Sequence, residues 1–155
     1  TIGRVEQLPP AAQASLRRAM DRTARGDRMI LTLALNYGGR QELVDAARRL
    51  AELARQGALD PAHIDEAHVA AQLYAPDLPD PDLLIRTSGE QRLSNFLLWQ
   101  SSYTELLVTP KLWPDFSRED LAEAIAEYVR RDRRFGRVEA AAGAAHGANG
   151  AGGRG

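Results

Sequence analysis

The spacing of apolar residues predicts helices in three segments of the chain, because it matches one face of a 3.6-residue period. The first runs from Ala11 to Arg25 and the second from Arg40 to Gln56. The third begins after Ser117, with Asp120 placed as the acid of a capping box. Asp65 predicts one further helix to about Leu73, since aspartate is favoured at the residue before a helix.

Short apolar runs between these segments predict strands. Met29 to Leu35 lies between an aspartate and the turn-forming sequence NYGGR, as expected for a strand that is buried on both faces. Leu83 to Ile85 predicts a second strand and Glu105 to Val108 a third, shorter one. The segment between them, Leu93 to Ser102, is apolar enough to form a helix against the core.

Helices that alternate with short strands indicate an α/β fold with a mostly parallel sheet flanked by helices, because parallel neighbours need a crossover connection. The opening TIGRVEQLPP has no initiator methionine, so we expect this fold to be incomplete at its amino-terminal end. Residues 1–136 are expected to belong to one domain. The alanine- and glycine-rich residues 137–155 have little apolar surface to bury and are expected to form a disordered tail.

The composition limits the classes of protein to which this chain can belong. The chain has 155 residues, 44% hydrophobic and 26% charged, and no apolar run near the roughly 20 residues that span a bilayer. Twenty basic residues nearly balance 21 acidic ones, which disfavours nucleic-acid binding. Cysteine is absent and no leader resembles a signal peptide, so we expect a cytoplasmic protein.

The sequence IRTSGEQRLSN follows the predicted strand that ends at Ile85 and carries the strongest candidate chemistry. Arg86 and Arg92 could bind an oxyanion with their planar guanidinium groups, with Gly89 supplying the turn. Ser94, at the expected start of the next helix, would add a hydroxyl beside helix-start amides. The alternative is that the two arginines pair with nearby carboxylates on a solvated loop, and the residues alone leave both interpretations open.

Four motifs together resemble a known family. NYGGR, then DLLIRTSGEQRLSNFLLWQSSYTEL, then LWPDF and finally RRFG are similar, in the same order, to the cis-prenyltransferases, which include undecaprenyl diphosphate synthase. The resemblance spans Leu31 to Gly136 and implies that residues 1–136 are the carboxyl-terminal portion of such a domain. It also implies that Arg86, Arg92 and Ser94 hold the diphosphate of isopentenyl diphosphate.

The resemblance implies further roles for residues whose own pattern is ambiguous. Glu105, read alone, is more typical of a solvated strand end, but the matching glutamate of the family helps to bind Mg²⁺ at the diphosphates. Glu90 could orient the two arginines or form a simple surface pair. Arg134 matches an Arg-x-Gly that reaches into the neighbouring subunit's active site, which implies a homodimer and a contact with isopentenyl diphosphate.

The expected function is condensation of isopentenyl diphosphate with an allylic diphosphate to give a cis-polyprenyl diphosphate, with Mg²⁺ as cofactor. Contact with a membrane is expected to be peripheral at most, through the lipid product. The family's early Asp-Gly-Asn-x-Arg phosphate loop has no counterpart here, so we expect a fragment that is inactive alone. The alternative is a non-catalytic partner subunit that keeps the same fold.

Overall fold

The computed structural model of the chain describes residues 1–131. This part contains four α-helices, two β-strands and three single turns of 3₁₀ helix. The helices are α1 (Pro10–Thr23), α2 (Gly39–Arg55), α3 (Glu66–Ala70) and α4 (Arg118–Arg130), the strands are β1 (Leu83–Arg86) and β2 (Glu105–Val108), and the 3₁₀ turns are Val5–Gln7, Pro61–His63 and Trp113–Asp115.

Local sequence signals account for the helix boundaries, and the four predicted helices outside residues 93–102 are confirmed. Pro10 occupies the first position of α1, where its missing amide hydrogen costs nothing. The capping box of α4 is reciprocal: the Ser117 hydroxyl accepts from the Asp120 amide at 3.2 Å, and Asp120 accepts from the Ser117 amide at 2.8 Å. Asp65 caps α3 as expected, but this helix ends at Ala70, three residues earlier than predicted.

The two strands pair in parallel, which confirms the α/β class and the parallel arrangement. Leu83 aligns with Glu105, and Arg86 aligns with Val108 at the carboxyl end of the pair. A single parallel bridge joins Ile2 to Ala34 elsewhere in the described residues. Arg86 therefore leaves the sheet at the edge where ligands usually bind in open α/β sheets.

The strand predicted at Met29 to Leu35 is wrong for this structure. Only Ala34 takes part in a bridge, and the Met29 side chain is 79% exposed rather than buried. The reason is that a strand needs a hydrogen-bonding neighbour. Within residues 1–131 the run finds only Ile2, which donates to the Leu33 carbonyl at 3.0 Å and accepts from the Leu35 amide at 3.0 Å.

The helix predicted at Leu93 to Ser102 is also wrong. This segment forms a series of turns, and Ser94, Asn95 and Leu97 have positive φ angles of 49°, 64° and 45°. A right-handed helix cannot contain such residues. The apolar content of the segment reflects partial burial against α2 rather than a helical period.

The core lies along one side of α2. The buried residues of this helix follow each other at three and four positions: Gly39, Glu42, Ala46 and Leu50. On α4 only Ala124 is buried, while the apolar residues Leu121, Ile125 and Val129 remain exposed. No helix within residues 1–131 is both long enough and apolar enough to cross a membrane.

Candidate anion-binding site

The loop after β1 is held against the segment after β2 by backbone hydrogen bonds. The Ser88 amide donates to the Lys111 carbonyl at 2.8 Å, and the Gly89 amide donates to the Thr109 carbonyl at 2.8 Å. Ser88 and Gly89 both have a φ of 69°, the left-handed region that glycine enters freely. The sharp turn that Gly89 predicted is therefore present, and it directs the chain back towards Arg86.

Glu90 connects the two arginines of this loop. One of its carboxylate oxygens accepts a hydrogen bond from Arg86 Nη2, and the other accepts from Arg92 Nη2. The hydrogen bond from Arg86, together with the positive charge of both arginines, lowers the pKa of the Glu90 carboxyl group below its usual value. Glu90 stays ionised and holds the guanidinium groups on either side of one carboxylate.

Ser94 joins the same cluster. Arg86 Nη2 lies 3.4 Å from the Ser94 hydroxyl oxygen, so a single guanidinium contacts both Glu90 and Ser94. Ser94 does not lie at the start of a helix, and the helix-start amides expected beside it are absent because residues 93–102 form turns. Three predicted residues, Arg86, Arg92 and Ser94, are thus brought together, with Glu90 between the arginines.

The cluster contains a hydrogen-bond donor without a partner, which an anion would satisfy. Arg86 Nε is buried and has no hydrogen-bond partner within residues 1–131. An unsatisfied buried donor costs roughly 1–3 kcal/mol, so an acceptor brought to this group would be stabilising. The Arg92 side chain is 65% exposed and can turn from Glu90 towards a bound oxyanion.

Glu105 lies away from this cluster. It begins β2 beside Leu83, whereas Arg86 is aligned with Val108 three residues further on, about 10 Å along the strand at roughly 3.3 Å per residue. Arg131 donates to the Glu105 carboxylate at 3.0 Å and to the Leu106 carbonyl at 2.9 Å. Sequence reasoning missed this pairing because the two residues lie 26 positions apart.

The described residues provide only part of a magnesium-binding site. Within residues 1–131 no three carboxylate, histidine or cysteine groups cluster in a way that could hold a metal. Glu105 supplies one carboxylate, and a cationic side chain already pairs with it. These residues do not fit the ion by themselves, so the role of Glu105 as a metal ligand stays a prediction.

Arg134, the predicted contact across a dimer, lies outside the described residues, as does the predicted tail. The NYGGR loop is described, and both of its glycines have close neighbours. A Cβ atom on Gly38 would lie 2.7 Å from Asn95 Nδ2, and one on Gly39 would lie 2.8 Å from Leu98 Cγ. These close contacts give the glycines a packing role in addition to the turn that NYGGR predicts.

Glu42 is a buried carboxylate that sequence reasoning did not single out. Its side chain accepts from the Tyr37 hydroxyl at 2.5 Å, from the Tyr74 amide at 2.9 Å and from Gln100 Nε2 at 3.2 Å. Burial, together with the Glu42 carboxylate, raises the pKa of Tyr37. The four-residue steps from Glu42 to Ala46 and Leu50 are the signal that could have placed this residue on the buried face.

A second polar network ties the amino-terminal segment to α2. Asp45 accepts two hydrogen bonds from Arg4, at 2.9 and 3.1 Å, and one from the Tyr74 hydroxyl at 2.6 Å. These bonds lower the pKa of Asp45 to about 2. Arg4 and Arg48 both pair with Asp45, and unlike Arg86 neither has a buried nitrogen without a hydrogen-bond partner within residues 1–131. This network is therefore a weaker candidate for anion binding than the loop after β1.

Comparison with known proteins gives one consistent result. A family model described as "Putative undecaprenyl diphosphate synthase" matches residues 1–136. An isoprenyl transferase of Heliobacterium mobile is 54% identical over 138 residues, which are 89% of this chain and 53% of the relative. Isoprenyl transferase 1 of Streptomyces coelicolor is 51% identical over 134 residues, 86% of this chain and 48% of the relative. The chain thus spans about half the length of these curated relatives.

Solved structures show the same similarity. The crystal structure of lavandulyl diphosphate synthase from Lavandula x intermedia, in complex with dimethylallyl diphosphate, matches with a TM-score of 0.85 and 44% identity, over 88% of this chain and 58% of that one. A probable undecaprenyl diphosphate synthase from Campylobacter jejuni matches with a TM-score of 0.75 and 32% identity, over 88% of this chain and 61% of that one.

Proposed function

This chain belongs to the undecaprenyl diphosphate synthase family of prenyltransferases, and from that premise we propose that its loop after β1 binds the diphosphate of isopentenyl diphosphate. In the whole protein, this substrate would be condensed with an allylic diphosphate to extend a prenyl chain with cis double bonds. Arg86, Arg92 and Ser94 are the proposed diphosphate contacts.

The observation that carries the proposal is the cluster of two guanidinium groups that share one carboxylate, with a hydroxyl beside one of them. Glu90 keeps Arg86 and Arg92 close together, and the Ser94 hydroxyl lies within 3.4 Å of Arg86. A diphosphate has enough charge and enough oxygens to bind both guanidinium groups at once. On binding, the guanidinium groups would exchange Glu90 for the more highly charged ligand, and the carboxylate would keep them from moving apart beforehand.

Prenyl transfer requires these residues to position the substrate. The carbon–oxygen bond of the allylic diphosphate breaks, and its electron pair leaves with the diphosphate. The alkene electrons of isopentenyl diphosphate then form the new carbon–carbon bond, and loss of a proton restores a double bond. Arg86, Arg92 and Ser94 would fix the alkene in reach of the allylic carbon, since positioning of this kind removes much of the entropic barrier.

The remaining parts of the proposal concern the whole protein. Mg²⁺ is the proposed cofactor of the whole protein, and Glu105 is the proposed ligand that this chain would offer it, with diphosphate oxygens and residues outside 1–131 as the other ligands. Arg134 would contact isopentenyl diphosphate across a homodimer interface. A cytoplasmic location and peripheral membrane contact through the lipid product complete the proposal.

Binding of isopentenyl diphosphate by the chain tests the proposed site directly. Replacing Arg86 and Arg92 together by alanine should weaken binding in titration calorimetry by several kcal/mol, since each charged hydrogen bond contributes roughly 1.5–3 kcal/mol. The matched control replaces Arg48 and Arg55, which also pair with carboxylates but lie on α2. This control changes the net charge equally and should leave the affinity unchanged. Equal affinity of all three proteins would exclude the proposed site.

A second experiment separates the enzyme from a non-catalytic partner subunit. Supplying an amino-terminal segment with the Asp-Gly-Asn-x-Arg loop that the family resemblance leads us to expect should give Mg²⁺-dependent formation of prenyl product from isopentenyl diphosphate and an allylic primer. Retained binding without any product, over a range of allylic primers, would favour the partner subunit instead.

A further inference from the structure

The conformation of the segment that carries Ser94 is not stable by itself. Residues 93–102 form turns, and Ser94, Asn95 and Leu97 adopt left-handed backbone conformations that L-residues seldom enter. Such conformations cost of order 1 kcal/mol each and persist only where contacts from elsewhere impose them. The position of the Ser94 hydroxyl therefore depends on what this segment is fastened to.

Asn95 provides the contact nearest to Ser94. Its carbonyl accepts a hydrogen bond from the Gly39 amide at 2.7 Å, and its side-chain oxygen accepts from the Arg40 amide at 2.8 Å. Gly39 and Arg40 are the first two residues of α2, whose amides have no acceptor inside the helix. Asn95 therefore serves as the cap of α2 from outside the helix, because no side-chain cap comes from Gly38.

Two further contacts fasten the rest of the segment to the same turn of α2. Gln100 Nε2 donates to both oxygens of the buried Glu42 carboxylate at 3.2 Å. Leu98 packs so closely on Gly39 that a Cβ atom there would lie 2.8 Å from the Leu98 Cγ. The first turn of α2 thus holds the segment at Asn95, Leu98 and Gln100, and only Asn95 is adjacent to Ser94.

We infer that Asn95 is a positioning residue for diphosphate binding. This inference rests on the function proposed above. By capping α2 with both its carbonyl and its side chain, Asn95 holds the neighbouring Ser94 hydroxyl at the Arg86 guanidinium. It does not itself contact the ligand. Loss of the side-chain cap would let Ser94 move away from the cluster while Arg86, Arg92 and Glu90 keep their own contacts.

The test compares two substitutions in the full chain. Asn95→Gly removes the side-chain acceptor but tolerates the positive φ, so it does not introduce backbone strain. Asn95→Asp restores an acceptor for the Arg40 amide and is also tolerated in the left-handed region. Dissociation constants for isopentenyl diphosphate are measured by calorimetry well below the melting temperature, where the chain is folded. All measurements use about 0.5 M salt, which screens the added charge beyond roughly 4 Å.

Asn95→Gly should weaken binding about tenfold, the equivalent of one lost hydrogen bond of about 1.4 kcal/mol, and Asn95→Asp should recover most of this loss. Asn36→Gly is the matched control. Asn36 also has a positive φ, 48°, and its side chain donates to the Arg4 carbonyl, away from the cluster. This control should change stability without changing affinity. If the role of Asn95 were purely structural, Asn95→Gly would give the same result as this control.

The outcomes separate this inference from the proposed function. If the unaltered chain binds isopentenyl diphosphate and the Arg86/Arg92 double variant does not, the binding site stands. An Asn95→Gly variant that then binds as well as the unaltered chain would overturn the positioning role alone, and so would an Asn95→Asp variant no better than Asn95→Gly. If the unaltered chain shows no binding, the proposed site itself fails.

Discussion

Asp45 offers the sharpest test of the forces that hold this fold together. Its carboxylate accepts two hydrogen bonds from Arg4 and one from the Tyr74 hydroxyl, and it also pairs with Arg48. These contacts join the amino-terminal segment, α2 and the turn after α3. Asparagine at position 45 removes the charge and one of the two acceptor oxygens, so we expect Asp45→Asn to destabilise the chain.

The pKa of Asp45 sets the size of the effect. The folded chain lowers this pKa from 3.8 to about 2, which corresponds to about 2.4 kcal/mol at roughly 1.36 kcal/mol per pKa unit. The Asp45 and Arg4 side chains are 19% and 26% exposed, so water and salt screen part of it. We therefore expect a loss of about 1–2 kcal/mol in the free energy of unfolding at pH 7.

The pH dependence identifies the cause. A carboxyl group whose pKa is lower in the folded chain stabilises it above its unfolded pKa, and this contribution is lost as the pH falls towards the folded value. For Asp45 the loss begins near pH 4, and about half should be gone by pH 3. The stability difference between the unaltered chain and Asp45→Asn should shrink over this range, because asparagine does not titrate.

Urea denaturation at a series of pH values from 7 to 3 measures this difference. Glu52→Gln is the control, since Glu52 pairs with Arg55 on the exposed side of α2, and a pair that water screens contributes little to stability. A constant difference between Asp45→Asn and the unaltered chain from pH 7 to pH 3 would refute the assignment of this stability to the Asp45 ion pair.

Two further substitutions test the local geometry in the same denaturation assay. Ser117→Ala removes one half of the capping box of α4 and should cost about 1 kcal/mol, with a loss of helical circular dichroism; unchanged stability would show that the cap is not needed. Gly39→Ala places a methyl group 2.8 Å from Leu98 Cγ and 3.1 Å from its amide nitrogen. It should cost about 1–3 kcal/mol despite the better helix propensity of alanine, and a stabilised variant would contradict the close packing.

The candidate site shows which contacts could be predicted from the residue types alone. The sequence predicted that Arg86, Arg92 and Ser94 act together, because all three lie within nine residues of the end of one strand. It also allowed Glu90 to orient the arginines, and Glu90 does contact both of them. The sequence could not predict that Arg131 pairs with Glu105, since nothing local relates two residues on different elements.

The failed predictions share one cause. Met29 to Leu35 has the composition of a buried strand, yet the only backbone partner it finds within residues 1–131 is Ile2. Residues 93–102 have the composition of a helix, yet Asn95 and Gln100 bind the first turn of α2 and the segment follows that surface instead. In both segments, groups distant in the sequence decided the backbone conformation.

The sequence by itself determined α1, α2 and α4, because the hydrogen bonds within a helix and the capping box of α4 join residues at most four positions apart. It also determined the turn at Gly89, since glycine enters the left-handed region freely. Only the tertiary structure decided that Asn95 caps α2, that Arg131 pairs with Glu105 and that Met29 stays exposed. Strand pairing, burial and cross-element hydrogen bonds depend on which distant groups meet, and a local pattern contains no information about that meeting.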